Sequence, residues 1–457
     1  MRKILYLFII CFHFSCSHAQ TFDGSWKGEV EVSGQKLLLV FNIQKDSAGK
    51  WNGTFESPMQ TAQKFAINQI RIEQDSIWMD VKNIGLVYAG FLDRDKDVMK
   101  GVMKQGPFES AMILVRSENE QSGLSRKQDV FPPYSYTEEE VQFKNSAGNA
   151  ILTGSLTYPK SGGPFPAVVL VNGSGQQNRD SEVFGHRPFK VLADHLTKNG
   201  FAVLRYDDRG VGGSKGEVNL ATTIDFASDA NAAVDFLSKK TSINGDKIGI
   251  IGHSEGALIA EIVASENNKV KYIALLSGPV IKGDSLLILQ SYALGKVGGL
   301  SEKALDANKV NNRKLYNILL EDKPPKVLAA SLEEELIRQN NGNPLTPDMK
   351  IKLSPMMSPW FRTFIRIDPA YYLKQVKVPI FASFGGKDVQ VPANENIYCL
   401  QRLHLNTTDV TIKDYPNLNH LFQNAQTGKI EEYFENSESF NEQLMGDLTK
   451  WLKLKTN

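Results

Sequence analysis

Cysteine is almost absent from this chain: there are three in 457 residues, and two of them, Cys11 and Cys16, lie in its first twenty positions. With that segment set aside only Cys399 remains, which excludes an internal disulfide framework. An excess of either charge is lacking too. Lys and Arg number 52 against 51 Asp and Glu, a net of +1, so there is no basic stripe for nucleic acid and no acidic tail. Beyond residue 20 no apolar run is long enough to cross a bilayer as a helix, so no integral membrane segment is expected there. Histidine is scarce, seven in all, few enough for a general base to be sought by elimination. No cluster of ligands calls for a metal, and no motif calls for a cofactor.

The chain opens with Arg2-Lys3, the apolar run Ile4 to Phe14, and the small residues of Ser17-His18-Ala19 before Gln20. Residues 1–19 therefore read as a secretory signal peptide, too short to span as a mature helix. Export across an inner membrane into a bacterial periplasm is the expectation. Lipid attachment at Cys16 is the weaker alternative, because His13 stands where such signals usually carry an aliphatic residue.

Residues 20–116 read as a small all-β barrel or sandwich. Gly24-Ser-Trp26-Lys-Gly28 recurs loosely as Gly49-Lys-Trp51-Asn-Gly53. Strand-like segments run from Lys36 to Ile43, Phe65 to Ile72, Ile77 to Val81, Leu86 to Leu92 and Ala111 to Val115, with turns between them. The tryptophans read as core. Residues 117–136, polar and carrying Pro132-Pro133, read as a linker.

From residue 137 to 457 the pattern changes. A hairpin, Val141 to Lys144 and Ala150 to Thr157, leads into apolar strands alternating with helical stretches. The strands are Ala167 to Val171, Ala202 to Tyr206, Ile248 to Ile251, Tyr272 to Leu276, Ile380 to Phe384 and Val410 to Lys413. Such runs mark a mostly parallel sheet buried on both faces, an α/β class. An interval from about 280 to 376 interrupts the alternation with helical stretches, and it reads as an inserted lid. It ends in Ser358-Pro-Trp360-Phe361-Arg362-Thr-Phe364, rich in aromatics. With Met356 and Met357, Trp360 and Phe361 are expected to line an acyl pocket.

The chemistry starts at Gly252-His253-Ser254-Glu255-Gly256. An apolar strand runs into Gly-x-Ser-x-Gly and a helix follows at once, the nucleophile elbow that exposes a serine hydroxyl on a strained turn. A second match, Gly212-Gly213-Ser214-Lys215-Gly216, lacks that context and reads as a glycine-rich loop. Ser254 is the nucleophile candidate. A serine hydroxyl needs a base, itself oriented by a third group. His420, in the loop Pro416 to Phe422 after the last strand, is the base candidate. His186 and His195 precede the serine, His404 sits at a helix end, and the sharp turn should point His253 elsewhere. Asp388, leaving its strand through Gly385-Gly386, is the acid, with Asp409 and Asp414 as rivals. For the oxyanion, one backbone N–H is expected from Glu255 and a second from Asn172-Gly173-Ser174-Gly175-Gln176, with Ser174 preferred and Gln176 in reserve. Asn172-Gly173-Ser174 is also a formal glycosylation sequon, in a loop where a glycan would block access. Arg209 is expected to brace the loops by pairing a carboxylate.

With these pieces, the region from about residue 137 onward resembles the α/β-hydrolase superfamily. Asp208-Arg-Gly-Val-Gly-Gly-Ser214, Gly252 to Gly256, Gly386-Lys-Asp388 and Asn419-His420 carry the likeness. Asn172 to Asp180 and Lys387-Asp-Val-Gln-Val-Pro392 look closest to bacterial EstD-type carboxylesterases, a branch that also sets a β-domain before the catalytic one. The resemblance implies a serine hydrolase acting on a small-molecule ester. A serine peptidase of the aminopeptidase kind could use the same triad, with Glu182, Arg362 or Arg366 anchoring a peptide terminus. A non-catalytic binding protein would be expected to have lost a triad member, and none is lost. No motif encodes the acyl or alcohol group or the oligomeric state.

Overall fold

Alternating residues in the N-terminal quarter and continuous apolar runs further on produce two units with separate cores in the computed structural model. It describes residues 21–32, 35–57, 64–106, 108–117, 126–346, 349–350 and 353–457. The leader expected over residues 1–19, with Cys11 and Cys16, lies outside the described residues.

The first unit takes in the described residues up to Ser117. Its strands are β1 (Gly24–Val32), β2 (Gln35–Lys45), β3 (Trp51–Glu56), β4 (Lys64–Ala66), β5 (Gln69–Glu73), β6 (Ser76–Val81), β7 (Leu86–Asp93), β8 (Val98–Gln105) and β9 (Phe108–Ser117). They form one antiparallel sheet in the order β4-β3-β2-β1-β9-β8-β7-β6-β5. The segment Phe65 to Ile72, expected as one strand, is split. The Ile67 N–H donates to Gly53 and the Asn68 N–H to Asp80, so these two residues carry the chain from one sheet edge to the other. The sheet must curl for that to happen, and Trp26, Phe41, Met79 and Tyr88 fill its inside. β8 had no clear signature, because Gly101 and two lysines dilute it, yet its Met99 and Met103 are buried. Trp26 is core, and its indole N–H donates to Phe22 O at 2.9 Å. Trp51 is only half-buried, under Lys45.

The second unit holds an eight-stranded sheet built from β10 (Thr137–Asn145), β11 (Ala150–Tyr158), β12 (Phe165–Val171), β13 (Ala202–Tyr206), β14 (Ile243–His253), β15 (Val270–Leu276), β16 (Ile380–Gly385) and β17 (Val410–Tyr415). Their order is β10-β11-β13-β12-β14-β15-β16-β17, parallel from β13 onward and antiparallel at the β10–β11–β13 edge. Strand residues alternate between two faces. Ala167, Val169 and Val171 pack with helices α2 (Thr223–Leu237) and α3 (Glu255–Glu266). Val168 and Leu170 pack with α1 (Pro188–Lys198) and the C-terminal helix Glu442–Thr456. Burial on both faces is why these strands read as unbroken apolar runs. The α2 start is set by Thr222, whose N–H donates to Asp225 at 2.9 Å.

Between β15 and β16 comes a helical insertion with α4 (Gly283–Val297), α5 (Glu302–Leu320), α6 (Pro325–Gln339) and the short helix Pro359–Phe364. It carries a small core of its own around Ile288, Leu315, Leu319 and Ile365. The segment expected as a linker differs in its second half. Arg126 donates to the carbonyls of Phe184, Phe434 and Asn436, and Gln128 bonds Ser439 and Phe440. Residues 126–136 therefore belong to the second unit. Within them Arg126 and Gln128 turn their polar ends to partly buried backbone groups.

Candidate active site

β14 ends at His253 and α3 begins at Glu255, leaving Ser254 alone at the turn. Its φ of 56° and ψ of −122° lie in a region that non-glycine residues rarely adopt. Such strain costs on the order of 1–3 kcal/mol and persists only where packing over-determines it. Here a Cβ on Gly252 would stand 2.0 Å from Gly256 O, and one on Gly256 would stand 2.1 Å from Val171 O. The turn closes because both positions lack a side chain.

β16 delivers Asp388 and the loop after β17 delivers His420. His420 Nδ1 and Asp388 Oδ2 are 2.8 Å apart, and both residues are buried. Asp388 Oδ1 accepts the N–H groups of Gln390 and Val391, each at 2.8 Å, which fixes the carboxylate. With Nδ1 engaged by a carboxylate, the imidazole proton sits on that side and Nε2 is left to accept. The Asn419 side chain holds the histidine loop by accepting from Leu421 and Gln423. The rivals do other things: Asp409 pairs Lys455, and Asp414 is exposed on β17.

The remaining histidines are placed as follows. His186 is buried between Ser439 and Tyr433 O and pushed down to about 4 by burial. His195 bonds Thr449, and His404 is exposed. His253 departs from expectation. Its ring does not turn away but lies 4.7 Å from that of His420, centroid to centroid, with Nε2 2.8 Å from His420 O. A carbonyl can only accept, so Nε2 carries the proton. Burial, then the neighbouring His420, pushes His253 down to about 3 and keeps it neutral.

Glu255, Ser174 and Gln176 surround this turn. As the first residue of α3, Glu255 has a backbone N–H without an intrahelical acceptor. Its carboxylate is buried and accepts from Thr223 at 2.6 Å and Trp360 at 2.8 Å, with the Ser174 hydroxyl near enough to favour its charged form. The Asn172–Gln177 loop is anchored by Asp208, which accepts from Asn172 Nδ2 at 3.1 Å and Gln177 N at 2.9 Å. Burial pushes the Asp208 carboxyl up to about 8, with Asp229 and Glu255 adding to the rise. Asn172 is itself buried, so the sequon is closed to a glycan in the folded chain. Arg209 makes a two-pronged contact with Asp229, at 2.7 and 2.9 Å. Ser214 is buried, donating to Asp207 O and accepting from Thr153 N, so it belongs to loop structure.

Ser254 and His420 share one pocket of about 450 Å³ with Ser174 and Gln176. Its apolar wall includes Leu286, Leu287, Trp360 and Phe364. Phe361, expected beside Trp360, lies elsewhere. One residue on a helix turns about 100°, and Phe361 packs with Tyr316, Met356 and Met357 into the core of the insertion. Trp360 and Phe364, four residues apart, stack at 5.4 Å on the pocket side. Of the three residues considered as anchors for a peptide terminus, only Glu182 lines the pocket, and Arg187 and Asn178 already engage it. Arg366 is spent on the carbonyls of Leu319, Glu321 and Arg362.

The family profile described as serine aminopeptidase, S33, matches residues 168–426, which span the elbow, Asp388 and His420. The chain belongs to this family of α/β-hydrolases. It is 26% identical over 357 residues to esterase EstD of Thermotoga maritima, covering 75% of this chain and 76% of that one. Over 128 residues it is 28% identical to the putative hydrolase YtaP of Bacillus subtilis, covering 24% of this chain and 43% of the relative. A solved Pyrococcus furiosus esterase aligns with 73% of this chain and 97% of its own at 18% identity and a TM-score of 0.45.

In this hydrolase two features had no signal in the sequence. The carboxylate of Glu255 lies at the centre of a hydrogen-bond cluster, although its position next to the serine drew attention only to its N–H. Tyr433, on the short helix Ile430–Glu435, and Phe184, in a turn, line the pocket from segments far apart in sequence, and no motif brings such pairs together.

Proposed function

We propose that the protein is a carboxylic-ester hydrolase working through an acyl-enzyme on Ser254. Ser254 Oγ attacks the ester carbonyl while His420 Nε2 takes its proton, and Asp388 stabilises the imidazolium that results. The N–H groups of Glu255 and Ser174, with Gln176 in reserve, hold the oxyanion. Collapse expels the alcohol, which takes the proton from His420. Water activated by the same imidazole then releases the acid. The observation that carries this reading is a strained serine at an elbow, sharing a pocket with a histidine whose far nitrogen is 2.8 Å from a buried aspartate.

The ester rather than the peptide is favoured by the pocket. No lysine or arginine lines it among the described residues, and its one acidic side chain, Glu182, is already paired. Esterase EstD, whose name states its activity, is related over three quarters of the chain. The α4 end of the insertion and the helix Pro359–Phe364 act as the lid over the acyl group. The test is a panel of chromogenic esters of rising acyl length beside aminoacyl and dipeptidyl amides. Turnover of esters with none of the amides is expected; preferential turnover of aminoacyl amides would replace this reading with the peptidase one. Export through residues 1–19 belongs to the same proposal, and N-terminal sequencing of protein recovered from the periplasm should begin at Gln20.

A further inference from the structure

One buried carboxylate joins three separate segments at the elbow. Glu255 is 3% exposed. Its Oε1 takes the Thr223 hydroxyl from the start of α2 at 2.6 Å and the Trp360 indole N–H from the insertion at 2.8 Å. Ser174, in the loop opposite the elbow, favours the charged form of the same carboxylate through its hydroxyl, while its carbonyl accepts from Gln177 at 3.0 Å. A buried carboxylate left without donors is costly, so the two donors, the acceptor and the neighbouring Ser174 hydroxyl hold one another's positions. The two backbone N–H groups assigned to the oxyanion belong to Glu255 and Ser174, the acceptor and the residue whose hydroxyl neighbours it.

We infer that the Glu255 carboxylate is a positioning group, and that Trp360 docks the insertion onto it so that the Glu255 and Ser174 N–H groups are aimed together. The inference rests on the acyl-enzyme reading. It assigns the insertion a part in the chemical step, beyond walling the acyl pocket. Trp360 acts here through its N–H, whereas a pocket wall needs only its ring. Donors left to wander lose most of their value, because stabilisation of an oxyanion depends on donors held in place before charge develops.

The two roles separate by substrate. Trp360→Phe keeps an aromatic ring against Phe364 and removes the donor. On p-nitrophenyl acetate, whose acyl group is too short to fill the pocket, kcat should fall about tenfold with KM little changed, and a boronic-acid transition-state analogue should bind about tenfold more weakly. In a Glu255→Leu background, which has no acceptor for the indole N–H, the same Trp360→Phe change should cost less than about twofold, since the interaction is already broken. Ser174→Ala, which removes the hydroxyl and keeps the N–H, should reproduce the kcat loss and serves if Trp360→Phe fails to fold. Unchanged acetate kcat in Trp360→Phe or Ser174→Ala, with only the KM for a hexanoate ester altered, would overturn the inference and leave Trp360 as a wall. Undiminished ester hydrolysis by Ser254→Ala, measured alongside, would instead remove the acyl-enzyme reading beneath it.

Discussion

Asp388 can be changed by a single atom without disturbing its surroundings, which makes it the sharpest probe of the relay. Asp388→Asn keeps Oδ1 accepting from Gln390 and Val391 but offers His420 an N–H, forcing the imidazole into the wrong tautomer. A loss in kcat on the order of 10⁴-fold is expected with melting temperature little altered. A variant still turning over esters at a tenth of the parental rate would show that Asp388 does not orient the base. His253 makes a different prediction. Its Nε2–H holds the carbonyl of His420, so it fixes the backbone of the base rather than moving protons. His253→Gln, able to donate from a similar reach, should retain more kcat than His253→Ala. Because His253 titrates only near 3, neither change should move the pH profile above pH 5. Ser254, Asp388 and His420 were legible in the sequence, since each follows a strand end and their chain order is fixed by the fold. The side-chain direction of His253 was not, because it depends on how the His420 loop folds back over the elbow.

At the scale of the element, α3 carries a second buried acid. Glu261 lies two turns beyond Ser254, neither carboxyl oxygen has a protein hydrogen-bond partner, and burial raises its pKa well above the usual range. The unfolded chain releases this proton near pH 4.3, about the ordinary value, while the folded chain keeps it to much higher pH. The folded state therefore binds more protons in that window, and its stability falls as pH rises, by about 1.4 kcal/mol per unit for one such group. Glu261→Gln should raise the melting temperature at pH 8 and make its decline from pH 5 to 8 shallower. Asp208, pushed up to about 8, contributes a second share of the decline and should leave a residual slope. An identical pH dependence in parent and variant would mean Glu261 is ionised in the fold. In the insertion, helix periodicity sorts neighbours whose aromatic character reads alike in sequence. Phe361→Ala should lower stability by about 2–4 kcal/mol with the acyl-length profile unchanged, whereas Leu287→Ala, on the pocket wall, should shift the preferred acyl length. The sequence marked the segment as aromatic and helical. Which side faced the pocket was decided by packing against α5 and could not be read from composition.

For the whole molecule, two units whose buried clusters share no residue predict two unfolding events in a calorimetric scan. The catalytic strands were legible because a sheet covered on both faces demands unbroken apolar runs, and glycine marks where the chain leaves it. The curled β-sheet was less so, since one-sided burial and short strands such as β4 leave a faint alternation. The boundary between the units was the least legible, for a physical reason. Polar, proline-rich sequence reads as solvent-exposed, yet Arg126 and Gln128 point inward to satisfy backbone groups of Phe184, Phe434, Asn436, Ser439 and Phe440. A partly buried carbonyl that loses its donor costs on the order of 1 kcal/mol, and the short helix Ile430–Glu435, which holds Tyr433, lines the pocket. A fragment beginning at residue 123 should thus fold and hydrolyse esters with near-parental kcat. One beginning at residue 137, where the hairpin starts, should melt several degrees lower and lose activity before it loses its sheet. Equal melting temperatures and equal kcat for the two fragments would show that residues 126–136 are a tether after all.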